Sequence, residues 1–158
     1  MAGIQLHRRT LAPRPGPPLP SYTSFVKDPH FAGPIPVENG WQFGQGGVGW
    51  YYDAARQWVI NDGTYTDTMY FYQRFAQLGA GKNALVVFDI EPHPSGQANQ
   101  GGLYLILGGI NKALSVAPGH YEFVFASADI STAEGFFLLP QGPVRLALSR
   151  ADGLFINP

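Results

Sequence analysis

The sequence contains no cysteine. It therefore has no disulfide framework, no thiol nucleophile and no thiolate-held metal. Charge is scarce too: Asp, Glu, Lys and Arg make up 13% of the 158 residues and leave a formal net charge of −1. A broad basic face for nucleic acid is excluded on that balance. No apolar run reaches the roughly 18 residues of a transmembrane helix. Residues 1–10 lack the apolar stretch of a secretory signal. No segment keeps a helical apolar period over several turns, and no internal repeat is visible.

What is abundant points one way. The chain has 20 Gly, 14 Pro and 14% aromatic residues. Gly and Pro punctuate turns, and aromatics suit pleated, half-buried strands. Apolar residues are 45% of the chain, enough for a sizeable core in one domain.

Charge divides the chain near Lys27 and Asp28. Residues 1–27 hold Arg8, Arg9, Arg14 and Lys27 and no acid, while residues 28–158 hold six cations against eleven acids. Five prolines fall within residues 13–20, where they forbid a helix or a central strand. Residues 1–27 are expected to form an extended basic arm, and residues 28–158 the folded domain. One reading of the arm is a solvated tail. The other is a docking arm with Arg8, Arg9 and Arg14 as charges and Leu11, Leu19, Tyr22, Phe25 and Val26 as apolar anchors, its stiffness reducing the entropy lost on binding.

From Asp28 onward the period is two. In Asn83–Glu91, Val86, Phe88 and Ile90 alternate with Val87, Asp89 and Glu91. The same pattern marks 120–126 and 144–149. Further strands are expected at 40–43, 48–52, 57–61, 66–77, 102–107, 114–116 and 135–139. Turn signals separate them, among them Asp62-Gly63, Pro94-Ser95-Gly96, Gln141-Gly142 and Asp152-Gly153. About ten short strands at this spacing predict an all-β antiparallel β-sandwich of the jelly-roll kind. Trp41 and Trp50 are expected on strands beside glycine, where a large indole needs a close, side-chain-free neighbour, and Gln73 is expected to satisfy buried backbone near a bend.

The order of the pieces is distinctive. Asp28-Pro29-His30-Phe31 is followed by Asn39-Gly40-Trp41, Gly49-Trp50-Tyr51-Tyr52-Asp53, Asp62-Gly63, and the run from Tyr70 to Phe75. Leu78-Gly79-Ala80-Gly81-Lys82, Leu107-Gly108-Gly109 and Ala117-Pro118-Gly119-His120-Tyr121 come next. This resembles carbohydrate-binding-module-like jelly rolls of the galactose-binding-domain type, over roughly residues 28–158. The chain departs from that pattern in having Asp28 for Asn and no aromatic after Gly81-Lys82. Such jelly rolls occur in sugar-binding modules and in structural proteins of tailed-bacteriophage virions. The resemblance implies a non-enzymatic virion component, a capsid decoration or cement protein assembled in the host cytoplasm. Its partner would be the major capsid or tail protein of the same particle. The alternative is a carbohydrate-binding module acting in glycan recognition.

Candidate chemistry is sparse. Asp89 and Glu91 share one strand face, roughly 6–7 Å apart by strand geometry, which is a spacing used in glycoside hydrolysis. A solvated outer face accounts for them more simply. His7, His30, His93 and His120 lack metal-ligand spacing. No nucleophile elbow or phosphate-binding Gly-Lys motif is present. No cofactor is expected, and neither nucleic acid nor membrane. The resemblance leaves room for one structural calcium ion, with Asp28, Glu38, Asp53 or Asp152 as ligands. A sugar would stack on Trp58, Tyr70 and Tyr72, with Asp53 and Gln57 bonding its hydroxyls. Packing in the core or between subunits is the competing use of those rings. Residues 102–107, apolar on both faces, mark a central strand or a subunit contact, and imply a homo-oligomer, with a trimer about an axis as one form.

Overall fold

Alternation becomes structure most plainly in Asn83–Glu91. It forms one strand, with Ala84, Val86, Phe88 and Ile90 buried and Leu85, Asp89 and Glu91 partly exposed. The computed structural model describes residues 21–37, 40–44, 49–64, 70–74, 83–107, 110–126 and 135–157. These residues form ten strands: β1 (Ser21–Ser24), β2 (Trp41–Phe43), β3 (Trp50–Asp53), β4 (Trp58–Asp62), β5 (Phe71–Arg74), β6 (Asn83–Glu91), β7 (Gln100–Leu107), β8 (Ile110–Leu114), β9 (Gly119–Phe125) and β10 (Gly135–Asn157). No α-helix occurs among the described residues, and the pairings are antiparallel.

β10 organises the fold. Its first part lies between β5 and β7, with Phe136 opposite both Gln73 and Leu107. Its later part lies between β4 and β6, with Ala147 opposite both Ile60 and Glu91. β2 extends one flank of the first half and β8 the other; β3 and β9 do the same for the second. β1 lies along the end of β10, from Ser21 opposite Asn157 to Ser24 opposite Leu154. The change of neighbours falls at residues 141–145, where the register with β7 shifts. Gly142 sits there with φ 79°, a conformation that costs most side chains energy. Gln141-Gly142 carries a turn signal, with a separate strand expected on each side. The backbone bends there while the strand continues.

The two half-sheets face each other. Phe88 of β6 stacks on Phe136 of β10, ring centroids 5.6 Å apart, and Trp50 of β3 meets Phe71 of β5 at 5.5 Å. Trp41, fully buried, stacks on Phe71 at 4.6 Å and meets Phe136 edge-on at 5.6 Å. Both tryptophans are buried. The Trp41 indole N–H donates to the Asp28 carbonyl at 2.9 Å, so its polar atom is satisfied. At one side, Lys112 of β8 donates to the Val124 carbonyl of β9 at 2.9 Å and sits 4.5 Å above the Phe125 ring. This bridge nearly closes the sheet on itself. The expectation of an all-β, sandwich-like body is met.

The folded body begins earlier than the charge pattern suggested. Charge places residues 21–27 with the arm, yet β1 pairs with β10, Phe25 N–H donates to the Gly153 carbonyl, and Val26 is buried. Gln73 explains the next step: its Oε1 accepts from Lys27 N–H at 2.7 Å and its Nε2 donates to the Lys27 carbonyl at 2.9 Å. This is the backbone satisfaction expected of it. Phe31 follows in a left-handed conformation, φ 55°, which costs a bulky residue about 1–2 kcal/mol. It is fully buried and packed edge-on against Trp41 and Phe71, and that packing offsets the strain.

Candidate functional site

The outer face of the first half-sheet carries an open cavity with aromatic walls. Along β5, Phe71 and Gln73 point inward, which leaves Tyr72 and Arg74 outside. Along β10, Phe136 and Leu138 are buried and Phe137 is half-buried. Along β7, Leu105 and Leu107 are buried and Ile106 is half-buried. The register aligns the outward residues. Gln42 lies opposite Tyr72, Tyr72 opposite Phe137, Phe137 opposite Ile106, and Ile106 opposite Asn111. One row thus crosses five strands.

Tyr70, Tyr72, Arg74, Ile106, Phe137 and Gly44 line an open cavity of about 470 Å³ on this face. The Tyr72 and Phe137 rings stack with centroids 5.4 Å apart and planes 18° from parallel. Tyr70, 38% exposed, meets Phe137 edge-on at 5.8 Å. The Arg74 guanidinium lies 5.6 Å from the Tyr72 ring centroid, a cation–π contact that holds it at the rim. The Tyr72 hydroxyl donates to Gln42 Oε1 at 2.9 Å. Aromatic walls, an amide and a guanidinium together suit a ligand with flat apolar faces and hydrogen-bonding edges.

Of the five residues singled out for sugar contact, this cavity gathers Tyr70 and Tyr72. Asp53, Gln57 and Trp58 lie on the β3–β4 hairpin, which joins β10 at Val59 to Asp62, some ten residues further along that strand. There Asp53 forms an ion pair with Arg56 at 2.6 Å and accepts from the Ala55 and Arg56 N–H groups. The Arg56 side chain holds the Asp53 carboxyl below the usual range. Gln57 occupies the left-handed turn position, φ 56°, and the Arg56 guanidinium lies 5.9 Å from the Trp58 ring centroid. These contacts close a hairpin. Phe137, Ile106, Arg74 and Gln42 were not anticipated. Phe137 stood in an expected strand, but its partnership with Tyr72 depends on a pairing 65 residues distant in sequence.

Of the arm residues, Arg8, Arg9, Leu11, Arg14 and Leu19 lie outside the described residues. Tyr22 is 52% exposed on β1. Phe25 packs on Phe155 with centroids 4.7 Å apart, so it anchors the fold itself.

The second half-sheet carries a polar outer face. Asp89 of β6 faces His120 of β9, with Oδ1 2.5 Å from His120 Nδ1, and Glu122 lies 3.2 Å from Nε2. Hydrogen bonds to Asp89 first, and to Glu122, raise the His120 pKa. Glu91 accepts from the Ser149 hydroxyl at 2.7 Å. The two carboxylates raised as a hydrolytic pair are thus engaged by different neighbours. Away from that face, His93 is buried in the loop after β6. Its Nδ1 lies 2.7 Å from the Ser95 hydroxyl and its backbone N–H donates to Asn99 at 2.9 Å. Burial, followed by the nearby Arg145 charge, pushes its pKa down.

The calcium ligands considered above do not converge. Asp28 accepts from Ala32 and Gly33 N–H at 2.7 and 2.9 Å. Asp152, buried, accepts from Arg150, Ser24 and Gly153 N–H. Asp53 serves the β3–β4 turn, and Glu38 lies outside the described residues. Each of these three carboxylates is engaged by donors of its own neighbourhood. No group of three or more His, Cys, Asp or Glu among the described residues could hold a metal ion. No protein-family model and no curated protein sequence matches this chain.

Proposed function

We propose that this chain is a non-enzymatic structural protein of a tailed-bacteriophage virion, most simply a capsid decoration or cement protein. Its β-sandwich would be a jelly roll, and its basic N-terminal segment the tether to a capsid or tail protein. One observation carries this reading. β1, which directly follows the Pro-rich segment, is stitched to β10, and β10 runs through both half-sheets. A load on residues 1–20 would enter four registered residue pairs in shear, then the Phe25–Gly153 and Lys27–Gln73 hydrogen bonds. Many such modest attachments, repeated by symmetry, would stabilise a shell.

The winding supports the jelly-roll assignment. The chain passes between the half-sheets at β1–β2, β2–β3, β4–β5, β5–β6, β6–β7, β8–β9, β9–β10 and within β10. The absence of catalysis is part of the proposal. Asp89 is hydrogen-bonded to His120, and Glu91 to Ser149. The test is co-sedimentation of the full chain with particles of its native source, compared with an Arg8→Gln/Arg9→Gln/Arg14→Gln variant. Retention of the first and loss of the second is the expected result.

A second reading, glycan recognition by the sandwich, is favoured by the cavity of Tyr70, Tyr72 and Phe137. Arg74 and Gln42 would bond sugar hydroxyls there while the rings stack on a pyranose face. It predicts weak oligosaccharide binding that does not depend on the arm.

A further inference from the structure

We propose that the cavity on the first half-sheet selects an acidic sugar, a pyranose that carries a carboxylate. Arg74 would hold the carboxylate, and the Tyr72 and Phe137 rings the sugar face. The proposal rests on the glycan reading of this cavity and adds the charge of its ligand. Its first support is an unspent cation. Arg56 pairs with Asp53 and Arg150 with Asp152, whereas no carboxylate among the described residues lies within ion-pair distance of Arg74. Its contact is with the Tyr72 ring, and a cation–π contact spends none of the guanidinium's N–H donors. Yet acids outnumber Lys and Arg eleven to six in residues 28–158.

The second support is the sense of the polar groups. The residues lining the cavity include one cation and no acid. Beside them, Gln42 Oε1 accepts from the Tyr72 hydroxyl, which leaves the Gln42 amide nitrogen as a donor. A neutral sugar brings hydroxyls that donate as well as accept, so a site for one supplies acceptors too. A carboxylate only accepts, and a guanidinium meets its two oxygens with a pair of N–H groups.

The third support is placement. Arg74 and Tyr72 are two apart on β5 and share its outer face, roughly 6–7 Å apart by strand geometry. The residue opposite Arg74 on β10 is Gly135. A Cβ on Gly135 would lie 3.0 and 3.2 Å from two atoms of the Phe137 ring, so the glycine lets that ring lean into the row of Arg74. An aromatic surface and a cation thus stand side by side, as do the ring and the exocyclic carboxylate of a uronic acid.

The test follows backbone amide signals of the isotopically labelled full chain during titration with trisaccharides of galacturonic, glucuronic and mannuronic acid. Each is matched by its methyl ester, which keeps the ring and removes the charge. The proposal expects at least one acid to shift the signals of Tyr72, Arg74 and Phe137 and to leave Val124 on the other half-sheet unaffected. That acid should bind roughly tenfold tighter than its ester, and the difference should shrink as salt is raised. Arg74 is exposed, so an Arg74→Gln chain should fold, and in it the difference between acid and ester should vanish. Equal affinity for acid and ester, or a preference that survives in Arg74→Gln, overturns the proposal and leaves the glycan reading standing. Benzoate that binds the same residues as tightly as the sugar acid also overturns it, because the cavity then reads a flat acid. No shift by any trisaccharide, charged or esterified, overturns the proposal and the glycan reading together.

Discussion

Gln73 clamps the backbone of Lys27 from both sides, accepting its N–H at 2.7 Å and donating to its carbonyl at 2.9 Å. The amide is almost fully buried, so no water can replace these bonds. Through this clamp the first half-sheet holds the segment leading from β1 into the core. A Gln73→Leu substitution leaves two Lys27 backbone groups without partners. It should destabilise the fold by about 1–3 kcal/mol, read from a shift in the urea midpoint. Gln73→Glu should also destabilise it, because a carboxylate cannot donate to the Lys27 carbonyl.

Gly153 and Phe25 form a second joint of the same segment. A Cβ on Gly153 would run into the Phe25 ring. Gly153→Ala should therefore cost about 1–3 kcal/mol of stability, as overpacking does. Phe25→Ala should relieve much of that clash, so the two changes should be non-additive in a double-mutant cycle. Additive losses would place the ring elsewhere.

His120 joins β6 to the edge strand β9 through Asp89, with Glu122 beside it. Its pKa is raised above the ordinary value of 6.5, so its contribution is fully present below that value and is lost as pH rises through the raised one. Thermal stability of the native chain relative to His120→Gln, followed from about pH 5 to about pH 9, should show an advantage at the acid end that fades upward. His93 acts in the opposite sense. Its pKa is lowered by burial, so its neutral form favours the fold, and that contribution is lost as pH falls below the ordinary value.

The cavity yields a prediction about sugar. If glycan recognition is the body's task, Tyr72→Ala should abolish oligosaccharide binding, and Trp58→Ala should leave it intact, since Trp58 lies on the β3–β4 hairpin. Isothermal titration with neutral oligosaccharides checks both. Loss on Trp58→Ala alone would move the platform to the hairpin.

Much of the fold was legible because its signal is local. Asn83–Glu91 alternates along its length, and its bounds were read directly. Residues 102–107, expected to be central or intersubunit, lie between β10 and β8. Long-range geometry was not legible. Gln141-Gly142 looks like a turn and Pro140 and Pro143 look like breakers, yet β10 passes through them while changing neighbours. Asp152-Gly153 also reads as a turn. It lies within β10, where the glycine admits the Phe25 ring. The attachment of β1 is not legible locally for the same reason: the pairing of Ser21 with Asn157 spans nearly the whole chain. The cavity was half visible. Tyr70 and Tyr72 stand out in sequence, but Phe137, Ile106 and Arg74 join them only through the register of β5, β10 and β7.

Particle attachment is the most direct measure of the central claim. Full-length protein and the Arg8→Gln/Arg9→Gln/Arg14→Gln variant, both with intact bodies, are mixed with particles of the native source and sedimented across a salt series. The tether reading predicts saturable co-sedimentation of the native chain that weakens with salt, and loss of binding in the variant. Equal binding of both chains, or binding displaced by free oligosaccharide, would contradict it.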